Sequence, residues 1–187
     1  MARFRVLHQS PPTDWQPAEL PSELYPQLYQ VGICPEAWAA LRTHVGWGQH
    51  TPTNGAEQGG LLLGQPLRDP KRPTHLVRLT HALPAHAAEG SMQHLHLGYA
   101  VWQKLLQQAE MFAPEQCVVG WYHTHPRYLR VYLSDTDRRL QAQLFTQDWH
   151  IALVMNPQRR IIRAFRGAAG LPTGVGFEGN LKFWMTV

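Results

Sequence analysis

Cysteine is scarce: the 187 residues hold two, and nothing in their placement suggests a disulfide framework. Cys34 and Cys117 lie far apart in apolar surroundings, where a free cysteine behaves as a small buried hydrophobe. Long hydrophobic runs are also lacking. No stretch approaches the roughly 20 apolar residues of a membrane-spanning helix, and the N-terminal region has no apolar segment of the secretory kind. A reducing, cytoplasmic setting with no membrane partner is the expectation. Charge is sparse as well, at 16% of residues and a net +4, with no Lys/Arg run longer than two. Arginines do gather at 127–139 and 159–166. That pattern reads as a basic face, and no nucleic-acid partner is expected.

What the chain does have is bulk for a core: 44% hydrophobic residues, with 7 Trp, 6 Tyr and 6 Phe. At this length one domain is the expectation. Residues 1–26 hold five prolines between Pro11 and Pro26, which predicts an extended proline-rich arm. The domain is expected over 27–187. "QLYQVGI" (27–33) alternates as a strand does, and Pro35 opens a predicted helix. "EQGGLLLGQPL" and "THLVRLTHAL" read as strands, the glycines marking close backbone approach. A helix is predicted over 92–112, a strand over "QCVVGWYHTH", and a helix opening on Ser134. "WHIALVMNPQRRIIRAFRG" reads as a hairpin about Asn156-Pro157. A glycine-rich loop over 167–180 and a last strand, "LKFWMTV", complete the reading. Six or seven strands with three helices make an α/β (α+β) fold, a sheet with helices packed on it.

The stretch "GWYHTHPRYLRVYLSDTD" (120–137) is not accounted for by folding alone. On a strand, His123 and His125 project from one face while Thr124 points away. Two imidazoles so placed can share a metal ion, and Asp137, one turn into the following helix, can reach back as a third ligand. A structural zinc site closes with four protein ligands, usually several of them cysteine. Two His and one Asp leave a fourth position for water, the arrangement of catalytic zinc. The proton of that water needs a carrier, and Glu57, at the start of a neighbouring strand, is suited to take it and pass it to a leaving amine. Ser134 is expected to cap its helix and also to donate to the oxyanion or orient the water.

Glu57 before "GGLLLG", then His123-Thr124-His125-Pro126, then Ser134 with Asp137, resembles the JAMM (MPN-plus) zinc isopeptidases, in their bacterial-type branch. The likeness runs over about residues 27–166. One departure stands out: eight residues, 126–133, separate His125 from Ser134, one more than the family's usual spacing, which a bulge in that loop would absorb. The resemblance implies an MPN fold, a mixed sheet flanked by helices and related in shape to cytidine deaminases. It implies Zn2+ as cofactor and hydrolysis after the C-terminus of a ubiquitin-like protein, deconjugating or processing it. The partners implied are that protein or its conjugate and, by analogy, conjugating enzymes of the same operon. Two other functions stay open: trimming of a sulfur-carrier protein in sulfur metabolism, and a non-catalytic binding module.

A ubiquitin-like tail is extended and can add to a sheet edge beside the metal. The segments 81–92 and 126–133 are placed to form its groove; in the second, Tyr128, Leu129, Val131 and Tyr132 either face the tail or pack on the core. His94 and His96 form a second H-x-H, but on the helix predicted there they diverge and share no metal.

Overall fold

The structure, a computed structural model, describes residues 31–49, 57–68, 75–86, 89–90, 95–96, 99–125 and 129–178. The proline-rich arm, Tyr128 and the strand expected at 181–187 lie outside the described residues. Strand β1 (Val31–Ile33) leads into helix α1 (Pro35–His44). Cys34 caps that helix, its Sγ accepting from the Ala37 amide at 3.4 Å, and Pro35 supplies a preset φ where no amide donor is needed. Strands β2 (Gly59–Arg68) and β3 (His75–Pro84) follow, then the two-residue strands β4 (Glu89–Gly90) and β5 (Leu95–His96). Helix α2 (Tyr99–Phe112), strand β6 (Cys117–Thr124) and helix α3 (Asp135–Leu144) come next. The chain then forms β7 (Ile151–Asn156), β8 (Ile161–Arg166), β9 (Leu171–Thr173) and β10 (Val175–Phe177).

Two expectations are corrected. The helix predicted from Met92 begins at Tyr99; before it, Leu95–His96 pairs as a strand with Glu89–Gly90. In that stretch Leu95 and Leu97 alternate with His94 and His96, a period of two, and Gly98 then interrupts. The helical divergence argued for His94 and His96 does not apply, since His96 is in a strand; His94 lies outside the described residues. The second correction concerns the glycine-rich loop, which contains β9 and β10. Glycine lowers strand propensity, but both segments gain partners at sheet edges.

Eight strands form one mixed sheet in the order β10-β1-β3-β2-β6-β7-β8-β9. Its two edge strands are separated in sequence by Gly174 alone, so the sheet curls until its edges meet. Val31 N donates to the Gly174 carbonyl at 3.2 Å, extending the β1–β10 pairing to that connection. Helix α1 fills the concave side: Ala37, Trp38 and Leu41 pack with Val31, Val77, Tyr122, Leu153 and Val175. On the other face Trp102 and Leu105 of α2 and Leu140 and Leu144 of α3 pack with Leu61, Trp121, Val154 and Phe165.

Strand β6 carries a bulge. Its pairing with β2 shifts register where Leu62 faces Gly120 and Leu63 faces Val118, so Val119 is the extra residue. Val119 and Tyr122 join the α1 side, whereas Trp121 joins the α3 side. Such bulges re-aim side chains beside functional sites. At the bulge only glycine fits, because a Cβ on Gly120 would overlap the Ile151 carbonyl oxygen.

Candidate metal centre

Beyond the bulge, alternation points His123 to the same face as Trp121, and His125 follows just past the strand end. Both are buried, His123 to 1% exposure. The His125 amide continues the pairing by donating to the Met155 carbonyl at 2.8 Å. Asp137 arrives from α3, where it occupies the third helical position of a capping box. Ser134 is the cap. Its hydroxyl and amide donate to Asp137 Oδ2 at 2.6 and 2.8 Å, and its Oγ accepts from the Asp137 amide at 3.2 Å. The local sequence S-D-T-D therefore both starts the helix and fixes the carboxylate.

The three side chains converge. His123 Nε2 lies 3.0 Å from His125 Nε2 and 3.4 Å from Asp137 Oδ2, and His125 Nε2 lies 3.9 Å from the same oxygen. Zinc bonds of about 2.0–2.2 Å at tetrahedral angles require donor atoms about 3.3–3.5 Å apart, and this set brackets that spacing. His125 Nδ1 donates to the Arg130 carbonyl, which sets the tautomer and leaves Nε2 as a free lone pair directed into the site. His123 is held differently: its Nδ1 is buried without a hydrogen-bond partner, and its ring stacks on Trp121 at 4.7 Å and 9°. Its polar engagement is thus at Nε2, inside the site. The donors fit a zinc ion by type, spacing and orientation.

Electrostatics agree with that fit. Burial works against the charged form of Asp137, but His123 and the Ser134 hydrogen bonds outweigh it and hold the carboxyl at about 2. Burial, reinforced by His123, pushes His125 below the usual histidine range against the pull of the Arg130 carbonyl and Asp137. An ionised carboxylate and a neutral imidazole are the forms that bind metal.

Glu57 stands beside the three, 7% exposed, with Oε1 3.9 Å from His125 Nε2. The backbone next to it is held by Thr124 through Gln58. Thr124 Oγ1 accepts from the Gln58 amide at 2.9 Å, and the Thr124 amide donates to the Gln58 carbonyl at 2.8 Å. All five residues named from the sequence, Glu57, His123, His125, Ser134 and Asp137, therefore meet at one end of β2 and β6.

Family comparison agrees with this arrangement. The family described as prokaryotic homologs of the JAB domain matches residues 41–166, which span all five. The chain belongs to the prokaryotic JAB family. Its mixed sheet flanked by helices is accordingly the JAB/MPN domain that the resemblance implied. The chain is also similar to COP9 signalosome complex subunit 5 of Yarrowia lipolytica, 31% identical over 115 residues, covering 60% of this chain and 31% of that protein. The subunit of the same name from Debaryomyces hansenii is 28% identical over 113 residues, covering 59% of this chain and 23% of that protein. The chain thus matches a third or less of the length of these relatives.

Several residues of this JAB site escaped the sequence reading. Trp121 stacks on His123 and donates its Nε1–H to Gln141 Oε1 at 2.7 Å; Gln141, wholly buried on α3, in turn donates to the Gly167 carbonyl at 3.1 Å. Strand alternation carried the signal for Trp121, two residues before His123. Nothing local marks Gln141. The loop before Ser134 divides its apolar residues: Val131 and Leu133 pack in the core, while Leu129 and Tyr132 are 40% and 50% exposed. Tyr132 sets its ring edgewise to His125, 5.6 Å away.

Proposed function

We propose that the chain is a zinc-dependent isopeptidase that hydrolyses the bond after the C-terminus of a ubiquitin-like protein. The observation that carries this reading is the convergence of two imidazoles and a carboxylate, with a second, non-ligating carboxylate beside them. His123, His125 and Asp137 would hold the ion. Zinc, when bound, supplies a Lewis acid that acidifies water and polarises a carbonyl. Glu57 takes the proton from the attacking water and returns it to the leaving amine. Ser134 donates its one hydroxyl proton to Asp137 and so orients that carboxylate; on turning from it, the same hydroxyl would serve as the donor to the developing oxyanion. Thr124 holds the backbone beside Glu57.

The fungal relatives are named as subunits of a complex, which supports a domain that works beside protein partners; conjugating enzymes fit that description. Trimming of a sulfur-carrier protein would use the same residues on a peptide bond, and a panel of C-terminally tagged ubiquitin-like proteins separates the two. The decisive comparison is zinc-loaded wild type against Glu57→Gln. Turnover is expected to fall by about 10²–10⁴-fold, while metal analysis finds zinc retained in both. Near-normal turnover in Glu57→Gln removes Glu57 as the base. Failure of the wild type on every fusion, with zinc bound, leaves a non-catalytic binding module.

A further inference from the structure

A cleft of about 600 Å³ opens beside the metal site, lined by Arg130, Val131, Tyr132, Arg159, Ile161 and Arg163. Three of these six are exposed arginines, and no carboxylate pairs with them among the described residues. Its two walls are the loop before Ser134 and the β7–β8 hairpin. They are tied together: Asn156 Nδ2 donates to the Leu129 carbonyl at 3.3 Å, and Arg163 Nη1 to the Val131 carbonyl at 3.3 Å. Asn156 Oδ1 also accepts from the Arg159 amide at 2.9 Å. A cleft whose walls are already joined loses little freedom on binding.

The cleft is continuous with the site. Arg130 contributes the carbonyl that orients His125, and Tyr132 stands edge-on to the same ring. Sheet register gives the spacing: His123 pairs with Val154, and Val154 with Arg163, all on one face. Two strand spacings amount to about 10 Å, or about three residues of extended chain.

We propose that this cleft binds an acidic, extended segment of the protein substrate, with its carboxylates about three residues from the scissile bond. The orientation rests on the isopeptidase reading; the binding itself does not. Arginine forks take carboxylates in bidentate pairs, while Val131, Ile161 and the Tyr132 ring cover the apolar parts of such a peptide. A basic tail is disfavoured by like charge. A nucleic-acid strand would also satisfy the arginines, but the apolar wall and the adjoining hydrolytic site favour a peptide.

The test uses the full zinc-loaded chain carrying Glu57→Gln, so that binding is read without turnover. Fluorescein-labelled hexaglutamate, hexalysine and hexathymidylate are titrated by anisotropy at physiological ionic strength. Hexaglutamate is expected to bind, more weakly as salt rises, and hexalysine to fail. Adding Arg159→Glu, whose side chain makes no hydrogen bond or ion pair among the described residues, is expected to weaken hexaglutamate by about tenfold or more with an unchanged melting curve; Arg163→Glu should weaken it as much, with some loss of stability because it also gives up the bond to the Val131 carbonyl. The proposal is overturned if hexaglutamate does not bind or if folded Arg159→Glu binds it as well as the parent. It is equally overturned if hexathymidylate binds more tightly through the same arginines. Loss of hydrolysis by the wild type would leave these binding results standing, so the two readings fail separately.

Discussion

Thr124 holds the backbone beside Glu57, because it grips Gln58 at both its amide and its carbonyl. Thr124→Val keeps shape and deletes one of the two bonds, leaving the Gln58 amide without its acceptor. A misplacement of under an ångström matters in catalysis, so kcat is expected to fall by about ten- to a hundredfold. KM and zinc content should hold, and Thr124→Ser should restore the rate. Equal rates for Val and Thr would show that Glu57 is aimed by something else. On the face away from the metal ligands, His44 meets the Tyr122 hydroxyl at 2.9 Å and the His86 ring at 5.5 Å. Burial, helped by His86, lowers its pKa from 6.5 to about 4. The unfolded chain therefore binds more protons between those values. The stability His44 lends is complete above pH 6.5, erodes as pH falls, and is gone below about 4. Because the ring is partly exposed, screening leaves about 1–2 kcal/mol of this effect. Urea melts of wild type and His44→Gln at pH 7.5 and 5 check it: the variant should lose less stability on acidification, and equal losses would refute the assignment.

Helix α3 does two jobs with one motif. The Ser134–Asp137 capping box starts the helix and holds the ligand oxygen. Ser134→Ala should therefore lower stability by about 1 kcal/mol and also weaken zinc. The carboxylate loses a hydroxyl donor, which lets its pKa rise toward the ordinary range. Competition with a chromogenic chelator measures the second effect; a stability loss with zinc affinity intact would mean that Ser134 is only a cap. This box was legible in the sequence because its chemistry is local, and so was the His123/His125 pair, through strand alternation. Glu57 was singled out by the need for a proton carrier at a neighbouring strand's start, and the family pattern supported it; nothing near it says which strand end it meets. Gln141 was out of reach: its partners, Trp121 and the Gly167 carbonyl, are 20 and 26 residues away. The edge strands β9 and β10 were hidden for a related reason. Their composition is that of a loop, and only the curled sheet supplies edges for them to pair with.

That curl bears on what the metal does for the whole molecule. The site's residues come from β2, β6 and α3, which are already joined by sheet pairing, the Trp121–Gln141 bond and a common core. The edge strands β9 and β10 pair with β8 and β1, without help from the ligands. Folding is therefore expected not to need the metal, unlike that of domains whose only core is their zinc. Metal removal should act as simple ligand loss, with stability falling by RT ln(1 + [L]/Kd), about 2.7 kcal/mol at a hundredfold excess over Kd. For a chain of this size that corresponds to a drop of about 5–10 °C in Tm. Dialysis against a chelator should abolish hydrolysis while far- and near-ultraviolet circular dichroism at 25 °C stay native, and added zinc should restore both rate and Tm. A chain that unfolds at 25 °C when stripped would make the ion part of the fold, and the case for an open, catalytic coordination position would go with it.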